Sequence, residues 1–313
     1  MTRSYEKINY GVRPAKNIER KMLRDAFRRL SEFGSIESYR YVGFGSTYFS
    51  DFYLLHKSLG ITNMVSIEHD VANEARFRFN LPFSCIDMKF EESTDVLTTM
   101  PWDVRTILWL DYDDPLDASM LTDVSLFCAN AITGSALVVT VNAQPDWSED
   151  SPLETLRQAV GPAKVPYDVT EANLTGWGAA STYRRIITNE IAESLNERNG
   201  IRAAGSKILY KQLFHFRYAD GAKMLTVGGL LFDEGQKGNV AKCGFDDLNF
   251  VKAGDEPYSI RVPNLTYREL RHLDAQLPVA NPLTLASPGV PSNDLENYAL
   301  LYKHFPMFAD VDM

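Results

Sequence analysis

The sequence of 313 residues is short of cysteine, with three in all: Cys85, Cys128 and Cys243. They lie far apart and form no CxxC pair, which excludes a disulfide framework and a zinc knuckle and points to a reducing, cytoplasmic setting. Histidine is also scarce. His56, His69, His215, His272 and His304 stand at no metal-ligand spacing, and neither HExxH nor GxSxG occurs, so no metal is expected and hydrolase chemistry has no support. No apolar run approaches the roughly 20 residues that cross a bilayer, and the opening MTRSYEKINY lacks a signal-peptide core, so a soluble protein without a membrane partner is expected. A GxGxxG fingerprint and a GxxxxGK[ST] loop are both missing, which argues against a dinucleotide or a nucleoside triphosphate as ligand. The nearest approach to either is GFGSTYF, residues 43–49.

What is present suits one large domain or one domain with an insertion. Hydrophobic residues make up 45% of the chain and aromatics 12%, enough to bury a full core. The net charge is −9, but residues 1–30 hold nine Lys or Arg against three acids, a local +6 that leaves −15 for the remainder. Pro14 fits the first turn of a helix, with Ile18, Met22, Leu23, Ala26, Phe27 and Leu30 on one side. Arg13, Lys16, Arg20, Arg24 and Arg28 line up on another. That stripe reads either as a solvated polar face or as a surface for phosphate or an acidic substrate.

Short apolar segments then alternate with helical stretches. Strands are expected at 40–43, 63–67, 83–86, 106–110 and 136–141, with helices near 52–59, 72–80 and 118–131. Continuous apolar strands joined by helices indicate a parallel sheet covered on both faces. Residues 208–232 form two further strands joined at Asp220-Gly221, a hairpin signal. The fold expected is therefore α/β: a doubly wound, Rossmann-like, mostly parallel seven-stranded sheet ending in an antiparallel hairpin. Within it, 1–35 form a basic amphipathic helix and 36–232 the α/β domain, with a helical insertion at 143–206 that contains a helix near 183–196. Residues 233–313 form a C-terminal extension packed on the domain, with a helix signal in LTYRELRHLDAQL.

Four stretches carry chemistry. Glycines after the first strand let backbone approach a ligand closely, and the bulk of Tyr48, where a dinucleotide turn has glycine, would obstruct the tight packing of the next helix. Glu68, in SIEHD, follows the second strand 25 residues after Gly43, where a carboxylate can accept from both hydroxyls of a ribose. Asp87 and Met88 come directly after the third expected strand. In LWLDYDDPLD, Asp111, Asp113 and Asp114 crowd three carboxylates onto the end of the fourth strand, an arrangement suited to taking a proton or binding a metal. Strand carboxyl ends form the ligand crevice of open α/β sheets, so these stretches should face one another.

Five parallel β/α units followed by a hairpin, over residues 40–232, resemble the class I S-adenosylmethionine-dependent methyltransferases, and in particular bacterial O-methyltransferases. The resemblance implies S-adenosyl-L-methionine as cofactor, with Gly43, Phe44, Gly45, Ser46 and Thr47 at its methionine end. Tyr41 and Val42 stand where the family usually has an acid before the first glycine. Glu68 and His69 would meet the ribose, Asp87 and Met88 the adenine, and Asp111 would also reach the cofactor. Asp111, Tyr112 and Asp113 are the implied catalytic group, and Tyr10, Arg13 and Lys16 the implied acceptor-binding group. Asp114-Pro115-Leu116 echoes the [DN]PP[YF] of N-directed nucleic-acid enzymes but lacks the stacking aromatic, which favours a small-molecule acceptor. RNA or DNA is the alternative acceptor, and a catalytically silent nucleotide-binding module the further alternative; a protein partner or a second copy stays open.

Overall fold

A computed structural model describes residues 13–145 and 151–307. The first helix, α1 (Pro14–Arg28), has proline in its first turn, and Ile18, Met22, Leu23, Ala26 and Phe27 on its buried side. Five β/α units follow: β1 (Arg40–Gly43), α2 (Ser50–Leu59), β2 (Asn63–Ile67), α3 (Glu74–Phe79), β3 (Ile86–Lys89), α4 (Ser93–Thr99), β4 (Thr106–Asp111), α5 (Ala118–Asn130) and β5 (Ala136–Asn142). Helices α6 (Pro152–Val160) and α7 (Gly178–Asn199) lead to the long hairpin β6 (Ile208–Asp220) and β7 (Ala222–Asp233). Beyond it lie α8 (Lys237–Lys242), the two-residue β8 (Tyr258–Ser259), α9 (Tyr267–Asp274) and α10 (Ser292–Leu301).

One sheet runs β3-β2-β1-β4-β5-β7-β6-β8. Strands β1 to β5 are parallel, while β7 runs antiparallel to both β5 and β6. The hairpin turns at Gly221, whose φ of +105° suits glycine. One face packs Tyr41, Ile107, Trp109, Val138 and Phe214 against α1 and α2; the other packs Val42, Leu108, Leu110, Leu137 and Val139 against α5 and α7. Burial on both faces is why these strands read as unbroken apolar runs.

The doubly wound sheet with its terminal hairpin is as expected, with three differences of detail. First, β3 begins at Ile86, where the apolar run was expected to end. The ring of Phe83 instead stacks outside the sheet on Tyr53, at 5.5 Å between centroids. As an edge strand β3 is covered on one side, so its residues alternate between buried and accessible. Second, an eighth strand appears, β8, which pairs in parallel with Phe216 and Arg217 of β6. Third, the helix expected at 183–196 starts at Gly178 and ends at Asn199, and its buried side joins the core under α5.

The placement of α1 is fixed from both ends of the chain. Arg13, at the helix N-cap, supplies no side-chain cap. The carboxylate of Asp220, from the β6–β7 turn, accepts instead from the backbone N–H groups of Ala15 (3.2 Å) and Lys16 (2.9 Å). A carboxylate here satisfies two orphan donors and meets the positive end of the helix dipole. On the outer side, Lys21 Nζ donates to the carbonyl of His304 (3.1 Å), Arg29 donates to those of Cys243 (2.9 Å) and Gly244 (2.6 Å), and His304 Nε2 lies 2.9 Å from Asp25 Oδ2. Asp220→Ala should destabilise the protein by about 1 kcal/mol, the usual worth of a helix cap. Asp220→Asn should recover part of it, both read from chemical denaturation.

Candidate active site

The carboxyl ends of β1, β2 and β4, where open α/β sheets form their ligand crevice, meet around the loop 43–49. A Cβ on Gly45 would lie 2.5 Å from the Phe49 ring and 2.6 Å from Ser66 Oγ, which accepts from Gly45 N–H at 3.1 Å. The glycine thus lets the loop lie directly on β2. Ser46 and Phe49 both hold φ of +47°, a left-handed conformation that costs energy in non-glycine residues and that gathers at functional loops. Thr47 is buried, and the Phe44 ring rests 5.2 Å from that of Tyr112. Tyr48 is exposed, so its bulk does not press on α2 as the sequence suggested. Asp51 is the feature that separates this turn from a dinucleotide site. It occupies the first turn of α2 and pairs with Arg20, so the helix end that would bind a pyrophosphate already carries an anion.

Glu68 directly follows β2, its backbone N–H donating to Lys89 O at 2.9 Å. Its side chain is 12% exposed, and Oε1 accepts from Asp70 N–H at 3.1 Å. Burial pushes its carboxyl above the usual range. His69 is exposed, with Nδ1 3.6 Å from Glu68 Oε1. The expectation for Asp87 and Met88 needs correction. Both lie inside β3, because the strand runs on to Lys89. Asp87 is 61% exposed and pairs with Lys89 at 2.9 Å, lining a cavity of about 620 Å³ with Asn63, Cys85 and Met100, while Met88 is buried in the core. The first residue beyond the strand is Phe90, whose ring lies 6.2 Å from that of Phe77.

The DYDD stretch is divided by the structure. Tyr112 donates to Asp123 Oδ2 (2.6 Å), a buried carboxylate that also accepts from Thr94 (2.6 Å) and Ser93. Burial, with Asp123 beside it, holds the Tyr112 phenol well above its usual range, so it stays protonated and acts as a strut. Asp113 and Asp114 are exposed. Among the described residues, no group of three His, Cys, Asp or Glu is arranged to hold a metal. Asp111 turns inward, 16% exposed, and accepts from Lys16 Nζ at 2.6 Å.

Lys16 is buried, and its ammonium is shared: Glu19 Oε2 lies 2.7 Å from Nζ, and the Trp109 ring centroid 4.5 Å. Glu19 is fully buried and also accepts from Tyr218 OH (3.1 Å) and from Thr226 Oγ1. Trp109 Nε1 donates to Thr140 Oγ1 at 3.1 Å, and that oxygen lies 2.8 Å from Thr226 Oγ1. With Glu19 ionised, the Thr226 proton is committed to it, so Thr140 donates to Thr226 and the chain of donors runs from Trp109 towards Glu19.

Residues 8–313 match the model of a family described as "Putative O-methyltransferase". The chain belongs to this family. No curated protein matches it. Among solved structures, cofactor-bound Rv0187 from MTB is similar at 14% identity, covering 66% of this chain and 79% of that one with a TM-score of 0.36. The O-methyltransferase TomG from Streptomyces achromogenes, solved with S-adenosylmethionine, is similar at 14% identity over 67% and 78%, with a TM-score of 0.35. The fibrillarin/Nop5p complex follows at 8% identity over 63% and 73%, with a TM-score of 0.34. These likenesses are distant, and it is family membership that carries the assignment to the methyltransferases.

In this methyltransferase the basic stripe on α1 is divided: Arg24 and Arg28 are partly or fully exposed, as a solvated face would have them. Arg13, Lys16 and Arg20 are buried, and Lys16 and Arg20 are matched to carboxylates of the chain itself. Arg24 pairs with Asp25 (2.7 Å), and Arg28 donates to Ser58 O (3.2 Å). Tyr10 lies outside the described residues. Glu19 was missed by sequence reasoning; its one sign was an acid set inside the basic stripe.

Burial is the largest influence on Glu19 and raises its proton affinity, with Lys16 opposing and Asp111 adding to the rise. The native state therefore binds this proton more tightly than the unfolded chain does. The stabilisation is complete below the unfolded value of about 4.5 and is lost as pH rises through the native value. Glu19→Gln should accordingly be more stable than the wild type at pH above that native value, by about 1 kcal/mol. The difference should close towards the unfolded value, as read from denaturation midpoints across pH.

Proposed function

We propose that the chain methylates a hydroxyl of a small-molecule acceptor in the crevice between β1, β2 and β4. The observation that carries this reading is the convergence of two partly accessible carboxylates, Glu68 and Asp111, on either side of the strained loop 43–49. The residues suit the cofactor: loop 43–47 would hold its methionine end, with His69 at the rim and Glu68 accepting from the ribose hydroxyls. Bound S-adenosylmethionine supplies an electrophilic methyl group on a sulfonium.

The chain's own part is to orient the acceptor and remove its proton. Asp111 is the base in this reading. It is the one carboxylate of DYDD that is turned inward, where it accepts from Lys16. Arg13 and Lys16, on α1, bound the acceptor side. Tyr112 orients rather than reacts, since its hydroxyl is committed to Asp123 and its ring to Phe44. Asp113, exposed at the rim, is not needed for proton removal. A small acceptor is favoured because Arg13, Lys16 and Arg20 of α1 are buried, and Arg184 and Arg185 pair with Asp255 (2.6 Å) and Asp168 (2.7 Å). No open cationic track for a phosphate backbone is built from these residues.

Calorimetry with S-adenosylmethionine tests this directly. The wild type should bind it, and Glu68→Ala should bind at least about tenfold more weakly, the scale of a lost charge-assisted hydrogen bond. Absence of binding by the wild type would overturn the reading.

A further inference from the structure

Among the described residues, the side chains packed between α1 and the sheet do not balance in charge. Lys16 and Arg20 on α1 face Glu19 on the same helix, Asp51 on α2 and Asp111 at the end of β4, so two cations serve three carboxylates. Widening the boundary to Arg13 at the helix start and Asp220 at the β6–β7 turn adds one charge of each sign and leaves the same deficit. Among the described residues, the remaining ionisable groups against the cluster are Tyr41 on β1 and Tyr218 on β6. Burial holds both phenols far above their usual range, so neither contributes charge. Of the three carboxylates, Glu19 and Asp51 are shut away from solvent and Asp111 alone opens on the crevice.

A buried surplus of one negative charge is unfavourable unless a proton or a bound cation offsets it. The family's methyl donor and its demethylated product differ by one methyl group and one positive charge. Resting on the methyl-donor reading above, we infer that the α1 cluster is completed by a cationic ligand in the crevice: the site selects the sulfonium donor over its neutral product, and Glu19 surrenders a proton to solvent as the cation binds. The proton and the cation are alternative means of neutralising the same cluster. The raised proton affinity of Glu19, caused first by burial and reinforced by Asp111, is what holds the proton while no ligand is bound. The preference serves turnover: the methyl group leaves with its positive charge, the proton that Asp111 takes from the acceptor replaces it as the neutralising charge, and nothing in the cluster then favours the remaining neutral ligand.

Calorimetry on the full chain, with S-adenosylmethionine and S-adenosylhomocysteine as probes in buffers of different ionisation enthalpy, reads both affinity and protons released. The wild type should favour the sulfonium by about tenfold or more, the scale of one charge acting through a protein interior of effective dielectric about 20. It should release a substantial fraction of a proton with the sulfonium and close to none with the product. Glu19→Gln, which keeps the shape and an acceptor oxygen for Thr226, should lose both the preference and the proton release. A measurement that needs no variant is the affinity ratio of the two probes in the wild type at a low and a high pH, which should grow with pH as Glu19 loses its proton unaided. Equal affinities at both pH values with no proton release would overturn this inference while leaving the donor reading intact. Failure of the wild type to bind either probe would overturn the donor reading itself.

Discussion

The buried ammonium of Lys16, held between Glu19 and Asp111, is the interaction on which the arrangement of the crevice depends. A lysine out of reach of water needs anionic partners close by, and here they come from two elements far apart in sequence. Once Lys16 is seated, the register of α1 against β4 is set. Glu19 is then carried to Thr226 and Tyr218, and Arg20 to Asp51 at the start of α2. Each of these contacts commits a polar group that would be costly to bury alone. The helix is therefore held over the sheet by charge and hydrogen bonding as much as by its apolar side of Ile18, Met22 and Leu23.

This design concentrates stress where the chemistry is expected. The loop 43–49 carries two left-handed residues without glycine's freedom, and the cluster beside it carries carboxylates whose ionised forms burial disfavours. Neither serves stability. Both are tolerated because the surrounding sheet, buried on both faces, supplies a large apolar core. The C-terminal extension contributes from the opposite side, gripping the outer surface of α1 through Lys21, Asp25 and Arg29, so that the helix is clamped between the sheet and the end of the chain.

Much of the architecture was legible in the sequence, for identifiable reasons. Strands β1, β2, β4 and β5 are buried on both faces and stand out as apolar runs, and Asp220-Gly221 marks the hairpin turn. Edge elements were harder to read. β3 alternates because one of its sides is uncovered, and β8 is two residues long, formed only because the chain docks on β6. The start of α7 at Gly178 has no capping side chain to announce it. In the crevice, Gly45, Glu68 and Asp111 stand at strand ends as local patterns suggested. Asp87 was displaced by the misplaced end of β3. The buried part of the basic stripe was misread because its partners, Asp51 and Asp111, lie 31 and 95 residues from Arg20 and Lys16 respectively, beyond the reach of any periodicity.

The cap on α1 has a consequence for how the protein comes into being. The helix is synthesised well before its cap, since the carboxylate that receives its leading N–H groups lies 204 residues further along the chain. Until the β6–β7 turn has been made, the first turn of α1 lacks its acceptor and Glu19 lacks Thr226 and Tyr218. A nascent or shortened chain can lay down the parallel strands and the glycine loop, but it cannot close the charged cluster above them. Assembly of the crevice thus reports that the far hairpin has arrived, and a fragment ending before it would present the loop 43–49 without the charged cluster above it.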